Sequence, residues 1–334
     1  MTVSFYLPKF VEPYALLLRG EQPLAQINTI FRQIGLPFLG LLFFVFAWQM
    51  TAKSIDTSLG QFPGPAMAWE QSQNLWQEHQ ASREKEQKFY ERQEKRNQRK
   101  LAENPDYVAK VRPYTGAPTF VDQIGTSLVT VLAGFVLASF IAIPAGIVIG
   151  LSSALYSASN PVIQLFKPVS PLAWLPLVTM VVSALYTSDD PMVSKSFLTS
   201  MITVTLCSLW PTMINTAVGV AGVDKDLVNV SKVLRLSWFT HIQKIVIPSA
   251  IPMIFTGLRL SLGIAWMVLI AAEMLAQNPG LGKFVWDEFQ NGSSASLSRI
   301  MTAVIVIGLI GFLLDRVMLM AQRFVSWDKS STNL

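Results

Sequence analysis

Residues Gly222–Pro252 have the sequence GVDKDLVNVSKVLRLSWFTHIQKIVIPSAIP and lie between two long apolar runs. The charged residues of this stretch are Asp224, Lys225, Asp226, Lys232, Arg235 and Lys244, and apolar residues recur at Leu227, Val230, Leu234, Ile242 and Ile245. Mixed charge with recurring apolar positions predicts a short, solvated helical hairpin at a membrane surface. Pro248 then marks the start of the next membrane span.

The composition on both sides of this stretch indicates a membrane protein. Of the 334 residues, 51% are hydrophobic and 14% are charged, against about a quarter charged in an ordinary soluble domain. A membrane-spanning helix needs about 20 apolar residues. The sequence predicts an all-α polytopic membrane protein with six spans, at about 34–52, 124–150, 164–187, 197–220, 249–275 and 299–321.

The basic residues of the short loops predict the orientation of these spans. An even number of spans places both termini on one side, together with 151–167 and the 222–248 loop. Short basic loops mark the cytoplasm. We therefore expect 1–33 to be a cytoplasmic N-terminal segment, 323–334 to be a cytoplasmic tail, and 53–122 to be a periplasmic loop. This last loop is also basic, but the rule weakens in loops longer than about 60 residues.

The periplasmic loop contains a long segment without a helix breaker. Residues 66–103 have neither Gly nor Pro and are rich in Glu, Gln, Lys and Arg. Glu84 with Lys88, and Glu91 with Lys95, have the spacing of favourable helical pairs. The segment predicts a charged helical insert, which is either a solvated spur or a docking arm for another component.

Motifs for catalysis are missing from the sequence. His79 and His241 have no metal-ligand spacing around them, and Cys207 lies in an apolar run typical of a structural thiol. Gly280–Phe284 has neither the upstream glycine nor the Ser/Thr of a nucleotide-binding loop. The sequence therefore predicts no catalytic site, no metal and no bound cofactor. Its net charge of +5 is spread over loops and predicts no nucleic-acid partner.

Two charged residues lie inside the fifth predicted span. Arg259 and Glu273 are fourteen residues apart, which places them on nearly the same helical face. A charge at this depth costs about 2.5–3.5 kcal/mol or more, and such residues usually face a cavity or the bundle interior. Both residues are candidates for a translocation pathway in which Arg259 attracts an anion. The alternatives are a structural ion pair or a snorkelling arginine.

The 222–248 loop resembles the cytoplasmic loop of type I ABC importer permeases, in the nitrate, taurine, aliphatic-sulfonate and bicarbonate group. The loop pattern of that family is E-A-A-x3-G-x9-I-x-L-P. When it is anchored on Pro248, its Ile and Leu fall on Ile245 and Ile247, both conservative matches. Its Glu falls on Asn229 and its Gly on Arg235, and its two Ala positions fall on Val230 and Ser231.

Three further segments strengthen the resemblance, which covers roughly 124–327. They are Lys167–Leu177 (KPVSPLAWLPL), Phe255–Leu275 (FTGLRLSLGIAWMVLIAAEML) and Gly280–Asp287 (GLGKFVWD). The last two look most similar to the nitrate and bicarbonate members. The charged insert at 66–103 lies outside the part of the chain that carries the resemblance.

The resemblance implies a non-catalytic permease of the bacterial inner membrane, with a first transmembrane helix at 34–52 and a core domain at 123–322. It implies cytoplasmic ABC ATPase subunits that bind ATP–Mg, a periplasmic substrate-binding protein, and a second permease copy, identical or different. The residues expected to couple to the ATPase are Asp226, Leu227, Asn229, Val230, Ser231, Leu234, Arg235, Ile245, Ile247 and Pro248.

The expected substrate is a small anion, with a nitrate-like oxyanion first. Taurine or an alkanesulfonate, and bicarbonate, remain as alternatives within the family. Two other classes remain from the residues alone: a secondary transporter that needs no ATPase, and a membrane scaffold. A secondary transporter often has inverted repeats with broken helices, and no such repeat is visible in this sequence.

The predicted topology can be tested with single cysteines at Ser82 and Ser330 in a Cys207→Ser background. An impermeant thiol reagent added from outside should label the cysteine at 82 and leave the one at 330 unlabelled, because only the 53–122 loop is expected outside. Mass spectrometry of the labelled protein measures both sites. Labelling at 330 without labelling at 82 would invert the topology.

Overall fold

The computed structural model describes residues 16, 23–57, 60–104, 107–187, 193–293 and 295–325. The chain divides into two compact units, Met1–Glu70 and Gln71–Leu334. Most of the predicted N-terminal segment 1–33 and most of the predicted tail 323–334 lie outside the described residues, as does the labelling site Ser330.

The first unit contains one long apolar helix. Helix α1 (Pro23–Ile30) continues through a π-helical turn (Phe31–Gly35) into α2 (Leu36–Ser54). The apolar helix therefore begins about ten residues before the predicted span 34–52, because neither Gly35 nor Pro37 interrupts it. A two-stranded antiparallel pair follows, with β1 at Asp56–Thr57 and β2 at Gly60–Gln61.

The charged insert folds as a hairpin rather than as an isolated helix. Helix α3 spans Pro65–Glu103, which confirms the helix predicted over 66–103. The following segment, 107–119, has no regular secondary structure and returns along the same helix. Tyr90 Oη accepts a hydrogen bond from the Tyr114 amide at 3.1 Å, and the side chain of Gln93 bonds the backbone of Arg112. We call the second-unit part of this element, 71–119, the hairpin.

The remaining helices confirm the predicted all-α membrane fold. They are α4 (Phe120–Gly150), α5 (Ser153–Phe166), α6 (Pro171–Leu185), α7 (Lys195–Ala221), α8 (Lys225–Val233), α9 (Trp238–His241), α10 (Ile247–Ala276), α11 (Leu281–Asn291) and α12 (Ser296–Val325). A π-helical turn, Ile242–Val246, joins α9 to α10. Within the described residues, five helices are long and apolar enough to cross a membrane.

The third predicted span, 164–187, is not one straight helix, and this corrects the prediction. Helices α5 and α6 meet at an angle of 96°, which is the geometry of a broken span or of a re-entrant helix pair. Pro171 disfavours helical geometry at Ser170, which is extended, and Ser170 caps the new helix by accepting a hydrogen bond from the Leu172 amide. Helix α6 has 15 residues, about 22 Å by helix rise, which is shorter than the hydrocarbon layer.

Helices α4 and α7 pack with their backbones close together. Small residues recur at every fourth position of α4, at Ala138, Ala142, Gly146 and Gly150, and the two alanines are buried. A methyl group at Gly146 would collide with the Thr216 side chain, and one at Gly150 would collide with Val220. The residue numbers of the contacting pairs increase together along the two helices, so α4 and α7 run parallel.

A hydroxyl group joins α7 to α10. Ser261 Oγ donates to the Ser208 carbonyl at 2.5 Å and accepts from the Thr212 amide at 3.1 Å. The Ser261 hydroxyl therefore bridges the Thr212 amide and the Ser208 carbonyl, two groups that bond each other directly in a regular helix. This bridge lies next to Pro211 of α7. Gly219 faces Ala250 while Gly257 faces Thr212, so that α10 runs antiparallel to α7.

These directions place the hairpin and the 222–248 loop at opposite ends of the second unit. The hairpin leads into the first residue of α4, whereas the loop follows the end of α7, beside the last residues of α4. Helix α4 has 31 residues, about 45 Å by helix rise, which exceeds the thickness of the hydrocarbon layer.

Candidate functional site

The 222–248 loop forms two short helices that meet at a tight turn. Asp224 caps α8 by accepting a hydrogen bond from the Asp226 amide at 2.9 Å. At the other end, the Leu236 amide bonds the Ser231 carbonyl and the Arg235 amide bonds the Lys232 carbonyl, each at 3.1 Å. These two bonds define a Schellman helix end. Ser237 caps α9 in turn.

Arg235 occupies the position of this turn that glycine usually takes. Its φ is 48°, in the left-handed region, which costs a residue with a side chain about 1–2 kcal/mol. The family pattern has its Gly at this position, so the structure explains the pattern: the turn requires a positive φ. The buried Ser231 hydroxyl lies 2.8 Å from His241 Nδ1 and joins the two short helices across the turn.

The loop exposes six large apolar side chains, which we call the elbow face. The six residues of this face are Leu227, Val230, Val233, Leu234, Trp238 and Phe239. Val233 is 82% exposed and Trp238 is 67% exposed. Exposed apolar patches of this kind mark docking surfaces.

The predicted coupling residues differ in exposure, and only three of them belong to the elbow face. Leu227, Val230 and Leu234 belong to the elbow face, and Asp226, Asn229, Arg235 and Pro248 are exposed around it, whereas Ser231 is buried and Ile245 and Ile247 are partly buried. Val233, Trp238 and Phe239 were not among the predicted coupling residues. Two adjacent aromatic residues in a charged loop were the available signal.

Arg259 lines a cleft of about 670 Å³ between α10 and α12. Its guanidinium binds both carboxylate oxygens of Asp315, with Nε–Oδ1 at 2.6 Å and Nη2–Oδ2 at 3.1 Å. The side chain of Arg259 is still 41% exposed, and Arg323 lines the same cleft. The arginine is thus both paired and open to the cleft. Asp315 was missed, although it directly follows the charge-free window that ends at Leu314.

Glu273 lies in a different environment from Arg259. It is fully buried, and its carboxylate accepts hydrogen bonds from Ser127 Oγ at 2.8 and 2.9 Å and from the Gly282 amide at 3.0 Å. Ser127 Oγ in turn accepts from the Leu281 amide at 2.9 Å. The structure therefore places Glu273 at a junction of α4, α10 and the start of α11, away from the residues that line the cleft.

The two glycines of the GLG motif are explained by this junction. A methyl group at Gly280 would collide with the Glu273 carboxylate, and one at Gly282 would collide with the Ile270 carbonyl. The carboxylate also satisfies an amide at the start of α11 that has no partner within the helix. Close packing around the buried Glu273 carboxylate therefore requires glycine at both positions of the motif.

The comparisons with known proteins agree with this architecture. The family described as binding-protein-dependent transport system inner membrane component matches residues 142–326. The chain is 39% identical over 204 residues to the nitrate import permease protein NrtB of Synechococcus elongatus, which covers 61% of this chain and 69% of the relative. It is 36% identical over 204 residues to the bicarbonate transport system permease protein CmpB of the same organism, covering 61% and 68%.

A solved structure shows the same fold at low identity. The inward-facing MetNI methionine ABC transporter aligns with a TM-score of 0.53 and 12% identity, over 62% of this chain and 96% of that chain. The fold is that of an ABC importer permease, a multi-pass, non-catalytic transport subunit. This chain belongs to the family of inner membrane components of binding-protein-dependent transport systems.

Ser127→Ala tests the junction around Glu273. The variant removes the donor to the carboxylate and the acceptor of the Leu281 amide, and leaving buried polar groups unsatisfied costs about 1–3 kcal/mol. We expect a lower thermal unfolding temperature in detergent. Ser139→Ala on the same helix is the matched control, because the Ser139 hydroxyl bonds only the Phe135 carbonyl. Equal stability losses in both variants would contradict a special role for the junction.

Proposed function

We propose that this ABC importer permease moves a small inorganic oxyanion, nitrate before bicarbonate, from the periplasm to the cytoplasm. The observation that carries the proposal is Arg259, a cation at membrane depth that is open to a cleft. Its guanidinium offers planar paired donors that suit an oxyanion. The relatives named as nitrate permeases are 37–40% identical to this chain, and those named as bicarbonate permeases are 36–39% identical.

Asp315 is the partner of Arg259 in this proposal when no anion is bound. In the absence of an anion it neutralises Arg259, which avoids an unpaired charge at membrane depth. An arriving oxyanion competes with the Asp315 carboxylate for the same donors, because both ligands accept paired N–H bonds. This competition keeps the anion weakly held, so that it is released rather than trapped.

The elbow face supplies the coupling in this proposal. Two cytoplasmic ATPase subunits bind and hydrolyse ATP–Mg, and a groove on each receives the elbow face of one permease copy. The copies form a homodimer or a heterodimer around the pathway, and a periplasmic substrate-binding protein delivers the anion to the opposite end. Both chain termini are cytoplasmic in this arrangement. The exposure of all six apolar side chains of the elbow face, and their position after the end of α7, support this assignment.

Leu234→Glu tests the role of the elbow face. Leu234 is 63% exposed in the free chain, so the substitution leaves the fold intact but places a charge in the proposed interface. We expect loss of ATPase copurification and of ATP-driven uptake, with normal membrane insertion. Gln243→Glu is the matched control, because Gln243 is exposed in the same loop but lies outside the elbow face and outside the expected coupling residues. Normal assembly of Leu234→Glu, or equal loss in both variants, would refute the assignment.

Arg259→Gln tests the role of the cleft. We expect anion uptake to fall by about tenfold or more, which is about 1.4 kcal/mol in the transport barrier, with ATPase assembly unchanged. Arg259→Lys should retain part of the activity, because it keeps the charge and loses the fork. Uptake into proteoliposomes measures both.

A charge swap separates this role from a purely structural ion pair. The double variant Arg259→Asp with Asp315→Arg keeps an ion pair in the cleft but moves the cation to α12. We expect restored thermal stability without restored uptake. Uptake at the wild-type rate in the swapped variant, or in Arg259→Gln, would show that the arginine only packs the helices.

A further inference from the structure

The distal part of the hairpin contains a groove lined by four cations. Arg96 and Lys100 come from α3, and Lys110 and Arg112 come from the returning segment; together they line a cavity of about 180 Å³. We call these four residues the basic groove. This feature lies in the insert at 66–103 and the segment after it, outside the coupling segment and the anion cleft.

Amide side chains hold the two sides of the groove in register. The Gln93 side chain makes two hydrogen bonds with the backbone of Arg112. Its Oε1 accepts from the Arg112 amide at 2.9 Å, and its Nε2 donates to the Arg112 carbonyl at 3.4 Å. Asn97 Nδ2 donates to the Lys110 carbonyl at 3.1 Å. The backbone of the returning segment is therefore fixed to α3, and the cations are presented together by a built scaffold.

The cations of the groove are brought together at one cavity without an acidic partner among them. Arg83 pairs with Glu86 and Asp122, and Lys88 pairs with Glu84. Across the part of the hairpin that the structure describes, none of the four groove cations forms an ion pair. Like charges held together without a counter-charge repel one another, and an anionic ligand would relieve that repulsion.

The contacts of the hairpin with the helical core lie on its proximal side. Leu75 is buried in the apolar core beside Leu269 and Leu281, Glu78 pairs with Arg299 at 2.8 Å, and Arg83 pairs with Asp122 at 2.5 Å. Arg96 is thirteen residues beyond Arg83, about 20 Å farther along α3 by helix rise. The basic groove therefore lies at a distance from the helical core, on a hairpin whose proximal part is packed against that core. It is at the end of the second unit opposite the elbow face.

We propose that the basic groove docks an acidic face of the extracytoplasmic substrate-binding protein. This inference rests on the proposed function, which places that protein on the hairpin side. Arg96, Lys110 and Arg112 are exposed, so that water and salt screen their attraction for any single small anion. Several carboxylates fixed on one protein surface meet all four cations at once, and they gain both in attraction and in encounter rate.

The test compares two charge-neutralised versions of the full importer in nanodiscs. The groove variant carries Arg96→Gln, Lys100→Gln, Lys110→Gln and Arg112→Gln. The control variant carries Lys85→Gln, Arg92→Gln, Lys95→Gln and Arg99→Gln, which removes the same charge from the same arm without touching the groove. The probe is the substrate-binding protein that stimulates ATP hydrolysis by the wild-type complex. Its affinity is measured by biolayer interferometry at low and high salt.

We expect the groove variant to bind the probe about tenfold more weakly and with a flatter salt dependence, because interfacial charges act mainly on association. The control variant should stay within about twofold of wild type, and basal ATP hydrolysis should be unchanged in both. Equal effects in the two variants, or none in the groove variant, would overturn the inference while leaving the proposed function intact.

Two other results would also overturn it. A changed dependence of uptake on anion concentration, with unchanged affinity for the probe, would make the groove a small-anion site. An effect seen only in nanodiscs that contain anionic lipid would assign it to lipid headgroups. If wild type neither assembles with an ATPase nor responds to any substrate-binding protein, the proposed function fails as well.

Discussion

The close backbone contact of α4, α7 and α10 is the constraint on which the rest of the second unit depends. Gly146 and Gly150 bring α4 against α7, and Ser261 of α10 enters the hydrogen-bond ladder of α7 beside Pro211. Apolar burial drives little association between helices in a bilayer, so small residues and buried hydroxyl bonds must provide it. This packing fixes the direction of each helix, and with it the ends at which the elbow face and the hairpin emerge.

Glu273 and Arg259, both on α10, are stabilised by different kinds of partner. Glu273 is surrounded by donors from Ser127 and the start of α11, so it acts as a fixed structural acceptor. Arg259 has a single carboxylate partner and keeps part of its side chain open to the cleft. A charge that is fully satisfied within the fold has no remaining capacity for a ligand, whereas a singly paired charge can exchange its partner. Of the two residues, Arg259 is therefore the one that we assign to the proposed anion path.

The sequence predicted those features that depend on local pattern. Apolar windows identified the long helices, and the absence of Gly and Pro identified α3. The predicted third span was drawn across the break between α5 and α6 because apolar residues continue on both sides of it, although Lys167, Pro168 and Pro171 lie at the break. Helical periodicity placed Arg259 and Glu273 on one face, but only tertiary contacts with Asp315 and Ser127 give them different surroundings. The returning side of the basic groove was also hidden, because side-chain amides of Gln93 and Asn97 hold it in place.

ATP-driven uptake of isotopically labelled nitrate by the reconstituted importer tests the central claim most directly. Proteoliposomes would contain this permease, its ATPase subunits and the substrate-binding protein, with labelled bicarbonate and taurine in parallel. The account predicts that nitrate accumulates above its external concentration, and only when ATP and the binding protein are both present. Nitrate uptake that is independent of ATP, or accumulation of bicarbonate or taurine without nitrate, would contradict it.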